Sequence, residues 1–334
     1  MSIYSLQLAQ DDAQTDDMDF HVLALDGGGF KGLFSAAVLA ALEEDVQTRL
    51  TDHFDLIAGT STGGIIALAL GNGMRPRELV DFFVEEGPRI FENGGRRTKT
   101  VRHCLRAKYD QGNLRRALGI ALGNALLGDS DKRLVVPAFN LDNDQVYLFK
   151  TPHHPTLRRD WHVPMWQVGL ATSAAPTYFP ASTHVDGIRH VDGGLWANNP
   201  ILVGLAEAVA FCGAPLDRIR ILTVGTTTPV GHRPSSLDAG GRLRWAGHAT
   251  DLIMKAQSQS ATEIARHLLP TGAILRLDPV VRDNEFELDS VSTKKLIARG
   301  RLESRPLMRE AADLFKHKAE SYEPIYPRNG EVPA

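Results

Sequence analysis

Two cysteines, Cys104 and Cys212, are too few for a disulfide framework and lack the spacing of a metal site. A reducing compartment is the expectation. Net charge is scarce as well: 37 Lys and Arg stand against 40 Asp and Glu, a formal charge of −3. Nothing therefore draws the whole chain toward a nucleic-acid polymer, and any anion binding has to be local. Long apolar runs are also missing. No stretch approaches the roughly 20 residues that a membrane-spanning helix needs, and residues 1–10 have neither the basic flank nor the apolar core of a secretory signal. These absences point to a cytoplasmic protein whose contact with a membrane is peripheral. What remains, 43% hydrophobic and 23% charged over 334 residues, suits one α/β domain with a large core and some excursions.

The most informative stretch is Gly59-Thr60-Ser61-Thr62-Gly63, set between an apolar strand ending at Ile57-Ala58 and an apolar helix through Ile65-Ile66-Ala67-Leu68. This order fits a nucleophile elbow, in which a serine sits on a sharp strand-to-helix turn. Glycine at positions 59 and 63 lets strand and helix backbones pass close together, and the helix start aims its amides at the serine. Ser61 as a simple N-cap of a tight turn is the alternative.

A second strand-loop-helix unit precedes it: Phe20–Leu25, then Asp26-Gly27-Gly28-Gly29-Phe30-Lys31-Gly32, then a helix from Leu33. Side-chain-free residues ahead of a helix make a cradle for an oxyanion or phosphate. Gly27-x-Gly29-x-x-Gly32 formally matches the dinucleotide fingerprint, which requires an acidic residue closing the second strand. That strand closes with Gly59-Thr60-Ser61 instead, and the Gly-Lys-Ser/Thr ending of a P-loop is missing. An oxyanion hole serving Ser61 fits better, since the first two strands of such sheets commonly lie side by side.

The third stretch runs from Ile188 to Pro200. A short strand delivers Asp192 onto the Gly193-Gly194 turn, where a carboxylate can serve a serine as general base; Asp-Gly is equally an ordinary turn. Asn199 is expected to cap a helix with Pro200 at its first position. His190 shares the strand face of Asp192 and either tunes the site or fills the core.

Residues 1–19 carry five unpartnered aspartates and read as a mobile leader, 20–320 as a single domain, and 321–334 as a loose tail. Residues 89–116 form a basic excursion: Arg89, Arg96, Arg97, Lys99, Arg102, Arg106, Lys108, Arg115 and Arg116 face only Glu92 and Asp110. It is a solvated face or an anion-facing cap over the site; its aromatics are too sparse for a nucleic-acid platform. Helices are expected over 163–175, 246–269 and 292–315, strands over 134–140, 146–149, 219–225 and 273–277.

In their order and placement the three motifs resemble the patatin-like phospholipases, and Ala171–Pro180 is similar to that family's segment before the catalytic aspartate. The resemblance covers residues 20–225. It implies a three-layer α/β/α sandwich with a mainly parallel central sheet and a Ser–Asp dyad without histidine. Ser61 would be the nucleophile and Asp192 its base. Gly28, Gly29, Phe30 and Lys31 would frame the oxyanion hole, with Gly27, Gly32, Gly59, Gly63, Gly193 and Gly194 as motif glycines. The implied substrates are acyl esters of membrane glycerophospholipids, with no cofactor and no metal. The chain also resembles the short bacterial patatins that cyclic dinucleotides activate in antiphage signalling. A cyclic dinucleotide and a second copy of the chain are therefore expected partners, with 89–116 and 246–315 as the regions to search. One rival is a Ser-His-Asp hydrolase using His232, His248, His267 or His317. Others are a lipase that is unregulated or regulated by a partner, and a catalytically idle lipid- or nucleotide-sensing module.

Overall fold

The computed structural model describes residues 19–91, 107–229, 234–241, 245, 248–281 and 292–326. Arg96, Arg97, Lys99, Arg102, Arg106, Cys104 and His232 lie outside the described residues, as do nearly all of the acidic leader and residues 327–334.

Five strands make the parallel body of the sheet or its near edge: β1 (Phe20–Leu25), β2 (Leu56–Gly59), β3 (Arg133–Asn140), β6 (Ile219–Val224) and β8 (Ile274–Leu277). With β4 (Gln145–Lys150) antiparallel on the outside, the order is β4-β3-β2-β1-β6-β8, while β7 (Thr228–Pro229) pairs apart from it with β9 (Val280–Val281). Between them run α1 (Gly32–Val46), α2 (Thr62–Gly71), α3 (Pro76–Ile90), α4 (Gln111–Leu122), α5 (Met165–Thr172), α7 (Ile201–Cys212), α8 (Ala249–Leu268) and α9 (Thr293–Glu310).

Alternation along each strand divides the core into two layers. Leu23 and Leu25 of β1, Ile57 of β2 and Leu222 and Val224 of β6 pack on one face with α1, α2, α3 and α9. Val22, Ala24, Leu56, Ala58, Ile219 and Ile221 pack on the other with α7 and α8. The result is the expected α/β/α sandwich. Helix α2 is buried along its whole length, which is why its sequence is apolar on every side.

The register sets up the site. Leu25 pairs with both Gly59 and Val224, so β1, β2 and β6 end level with one another. Strand β3 runs on past the end of β2, and β4 covers one edge of that extension from Val135 to Asn140. The other edge pairs with β5 (His190–Asp192), antiparallel, with Asp192 opposite Ala138. β2 and β5 therefore approach one another end to end along the same edge of β3. Their C-terminal ends meet, and those ends carry Ser61 and Asp192.

Candidate active site

Ser61 has φ 55° and ψ −121°, outside the regions an L-residue prefers. The surroundings hold it there. Its amide donates to Thr172 Oγ1 at 2.9 Å, and Thr172 in turn donates to the Pro137 carbonyl at 2.6 Å. A Cβ at Gly59 would lie 2.3 Å from the Gly63 carbonyl oxygen, and one at Gly63 would lie 2.2 Å from that of Leu25. The flanking glycines thus serve close approach, while the strained backbone belongs to the serine itself. Thr172 was not legible as a site residue, because its role depends on α5 crossing under the elbow.

Ser61 Oγ donates to Asp192 Oδ2 at 2.6 Å, and Asp192 Oδ1 accepts the Gly194 amide at 2.7 Å. Gly193 is tight against β3: a Cβ there would lie 2.3 Å from the Pro137 carbonyl oxygen. Burial pushes the Asp192 carboxyl up to about 6, against the two hydrogen bonds from Ser61 and Gly194 that favour its ionised form. After the dyad come the short helix α6 (Gly194–Ala197) and then Asn199, whose side-chain oxygen accepts the Ile201 amide at 3.0 Å. The expected register is off by one: Pro200 occupies the N-cap position of α7 rather than its first helical position, and Asn199, one residue further out, reaches the helix only through its side-chain oxygen.

The glycine loop lies beside Ser61. Gly29 adopts φ 59°, and a Cβ at Gly28 would lie 2.0 Å from Thr226 Oγ1. Thr62 Oγ1 donates to the Gly29 carbonyl at 2.8 Å and Thr226 Oγ1 to that of Gly27 at 3.2 Å. Among the described residues the Gly28 and Gly29 amides donate no hydrogen bond, which leaves two donors for an oxyanion. The Lys31 ammonium donates to the Thr227 carbonyl at 2.9 Å, and the Phe30 ring packs against Gly87 and Phe91. Both side chains shape the loop, and the Lys31 amide is turned back onto it, donating to the Gly28 carbonyl at 3.2 Å. Gly32 meets α2, where a Cβ would fall 2.1 Å from Thr62 Cγ2.

Asp26, at the end of β1, is buried and clasped by Arg276 of β8, Nη1 to Oδ1 at 3.1 Å and Nη2 to Oδ2 at 2.6 Å. Burial pushes the Asp26 carboxyl up to about 6 while the guanidinium opposes the rise.

Ser61, Asp192 and the glycine loop open into one cavity of about 1130 Å³. One wall is apolar, built from Ile65, Phe82, Phe83, Ile90 and Phe179; the other is polar, with Lys255, Gln259 and Arg266 of α8. No histidine lines it among the described residues. His190 is fully buried between Tyr147 and Phe149 with Nδ1 3.1 Å from the Ile188 carbonyl, and His317 Nε2 lies 2.8 Å from Asp55 Oδ2 at the start of β2, the far end of the strand. The described part of the basic excursion is largely engaged with protein. Arg89 and Arg116 both pair with the buried Glu86, and Arg115 stacks on Trp166. Among the described residues no three His, Cys, Asp or Glu side chains group to hold a metal.

The profile of the family described as Patatin-like phospholipase matches residues 23–205. A "cGAMP-activated phospholipase" of Pseudomonas aeruginosa is 36% identical over 290 residues, covering 86% of each chain. One of the same description from Vibrio cholerae is 34% identical, covering 90% of this chain and 96% of its own. Among solved structures, VipD from Legionella pneumophila aligns with 13% identity and a TM-score of 0.48, over 89% of this chain and 67% of that one.

Proposed function

The chain belongs to the patatin-like phospholipase family and is a lipid acyl hydrolase, and from that premise we propose that Ser61 and Asp192 are its catalytic dyad. The observation that carries the assignment is the 2.6 Å hydrogen bond from Ser61 Oγ to Asp192 Oδ2 in a cavity without histidine among the described residues.

Asp192 takes the Ser61 proton as Oγ attacks the ester carbonyl carbon. Negative charge then develops on the carbonyl oxygen, where the amides of Gly28 and Gly29 receive it; one such donor contributes about 2.7–4 kcal/mol in a measured case. The proton passes from Asp192 to the departing alcohol, leaving an acyl-Ser61 ester. A water deprotonated by Asp192 then releases the fatty acid and restores the dyad. The apolar wall suits the acyl chain and the polar wall suits a glycerophosphate headgroup. A carboxylate is a weaker base than imidazole, and the burial that raises Asp192 compensates in part.

Labelling by a fluorophosphonate tests the dyad. The parent protein should be modified at Ser61. Ser61→Ala should lose both labelling and at least 10³-fold in ester hydrolysis, the scale expected for a lost nucleophile. Normal turnover by folded Ser61→Ala would sink the assignment.

The regulation we propose takes up the two relatives' description as cGAMP-activated: a cyclic dinucleotide switches the enzyme on. Action at the membrane in antiphage defence is what the resemblance to the short bacterial patatins adds to that proposal. A switch makes physical sense for an enzyme that degrades its own cell's lipids. Peripheral membrane contact, assembly of copies and a single enzymatic unit over residues 20–320 belong to the same reading.

A further inference from the structure

We propose that Arg276, on the last strand of the main sheet, is a positioning residue for the reaction, holding the glycine loop against Ser61 through its bidentate pair with Asp26. The inference rests on the dyad assignment above. Asp26 directly precedes Gly27, and its amide donates to the Val224 carbonyl at 3.0 Å, so the carboxylate stands where β1 becomes the loop. Three consecutive glycines follow, with no side chains of their own to fix the path. The shape has to be imposed from outside.

Arg276 reaches across β6 to do so. Besides its two contacts to Asp26, Nη1 donates to Thr223 Oγ1 at 2.8 Å and Nη2 to Asp278 Oδ2 at 3.1 Å. Asp278 Oδ2 also accepts Thr228 Oγ1 at 2.8 Å. All four terminal N–H groups are therefore committed to protein. Arg276 lines the cavity, yet its four terminal donors are spoken for, which assigns its fork to the loop rather than to a substrate phosphate. The Arg276 side chain is 11% exposed and that of Asp26 4%. The charges acting on Asp26 are those of Arg276, Asp278 and Lys31. Only a planar fork joins both carboxylate oxygens while also holding the strand beside them; a lysine supplies one point charge without that geometry.

The test uses the full chain with a soluble short-chain p-nitrophenyl ester. Arg276→Gln should lower kcat about 10²-fold, the cost of a reacting group misplaced by about 1 Å, with KM within about twofold of the parent. Arg276→Lys should fall between the two. Labelling of Ser61 by a fluorophosphonate should slow in parallel with kcat, because the phosphoryl oxygen uses the same donors. Near-UV circular dichroism and Tm establish that each variant is folded at the assay temperature. If neither Arg276 variant folds, Asp26→Asn, which keeps the shape and removes the charge, is judged by the same kcat-against-KM split. Folded variants with parental kcat, or with their loss confined to KM, would overturn the proposal. A parent left unlabelled both with and without cGAMP would instead overturn the dyad and leave the architecture of the pair as it is.

Discussion

At the scale of single residues, the proposed role of Asp192 as the base predicts the pH behaviour. Its carboxyl titrates near 6 because it is desolvated, and as a base it works only when ionised. Below pH 6, kcat/KM should fall about tenfold per unit on a soluble ester, with a plateau above. For stability the sign is opposite. An acid whose folded pKa lies above its unfolded value binds more protons when folded, so stability drains away as pH rises from about 4 to about 6. Asp192→Asn removes that cost, on the order of 2–3 kcal/mol. It should be inactive yet melt several degrees above the parent at pH 7–8, the gap closing toward pH 4. A calorimetric series showing Asp192→Asn less stable than the parent at pH 8 would refute the desolvation argument. Thr177, at φ 73°, and Thr227, at φ 81° with its carbonyl on Lys31, are further residues at positive φ lining the cavity.

At the scale of elements, the site depends on how closely strands and helices pass. Gly29 tests this most directly, since its φ of 59° is one a β-branched residue adopts only with strain. Gly29→Val should reduce kcat at least tenfold while KM changes little, because the displaced amide acts in the transition state. A loss seen mainly as raised KM would make the loop a substrate-binding element instead. Helix α3 shows the same economy in charge: the buried Glu86 is neutralised by Arg89 of its own helix and Arg116 of α4. That pairing ties the two helices together. Tyr178 and Phe179, after α5, line the cavity as aromatic wall.

At the scale of the molecule, catalysis and anchoring occupy opposite ends of the sheet. Ser61 follows the end of β2, whereas Asp55 at its start accepts the His21 amide at 2.7 Å, the Glu320 amide at 3.1 Å and His317 Nε2 at 2.8 Å. Residues up to Tyr326 are docked as well, its hydroxyl donating to the Pro155 carbonyl at 3.0 Å. No helix among the described residues is long and apolar enough to cross a membrane. Activation by a cyclic dinucleotide is the prediction at this scale. Purified protein on phospholipid vesicles should be nearly silent alone and rise at least tenfold with one member of a panel of cyclic di- and trinucleotides. Full activity without any of them would leave an unregulated lipase.

The sequence by itself determined the motifs and most of the framework. Gly59-Thr60-Ser61-Thr62-Gly63, the glycine loop after Asp26 and the Asp192-Gly193-Gly194 turn were legible because tight turns and close backbone contacts admit few residue types, leaving a local imprint. The strands from Phe20 and Ile219 and the apolar helix after Ser61 were legible for the related reason that buried elements are apolar at a fixed period. Tertiary structure alone decided what joins these pieces. Thr226 and Arg276 carry no motif, and the family-like segment around Thr172 does not say what Thr172 bonds; each matters through a partner 35 to 250 residues away, as Thr172 does to Pro137 and Arg276 to Asp26. The meeting of Ser61 and Asp192 is likewise a property of the sheet. It needs β3 to outrun β2 and β5 to turn back along the edge left free, and hydrogen-bond register between distant strands leaves no local signature in either strand.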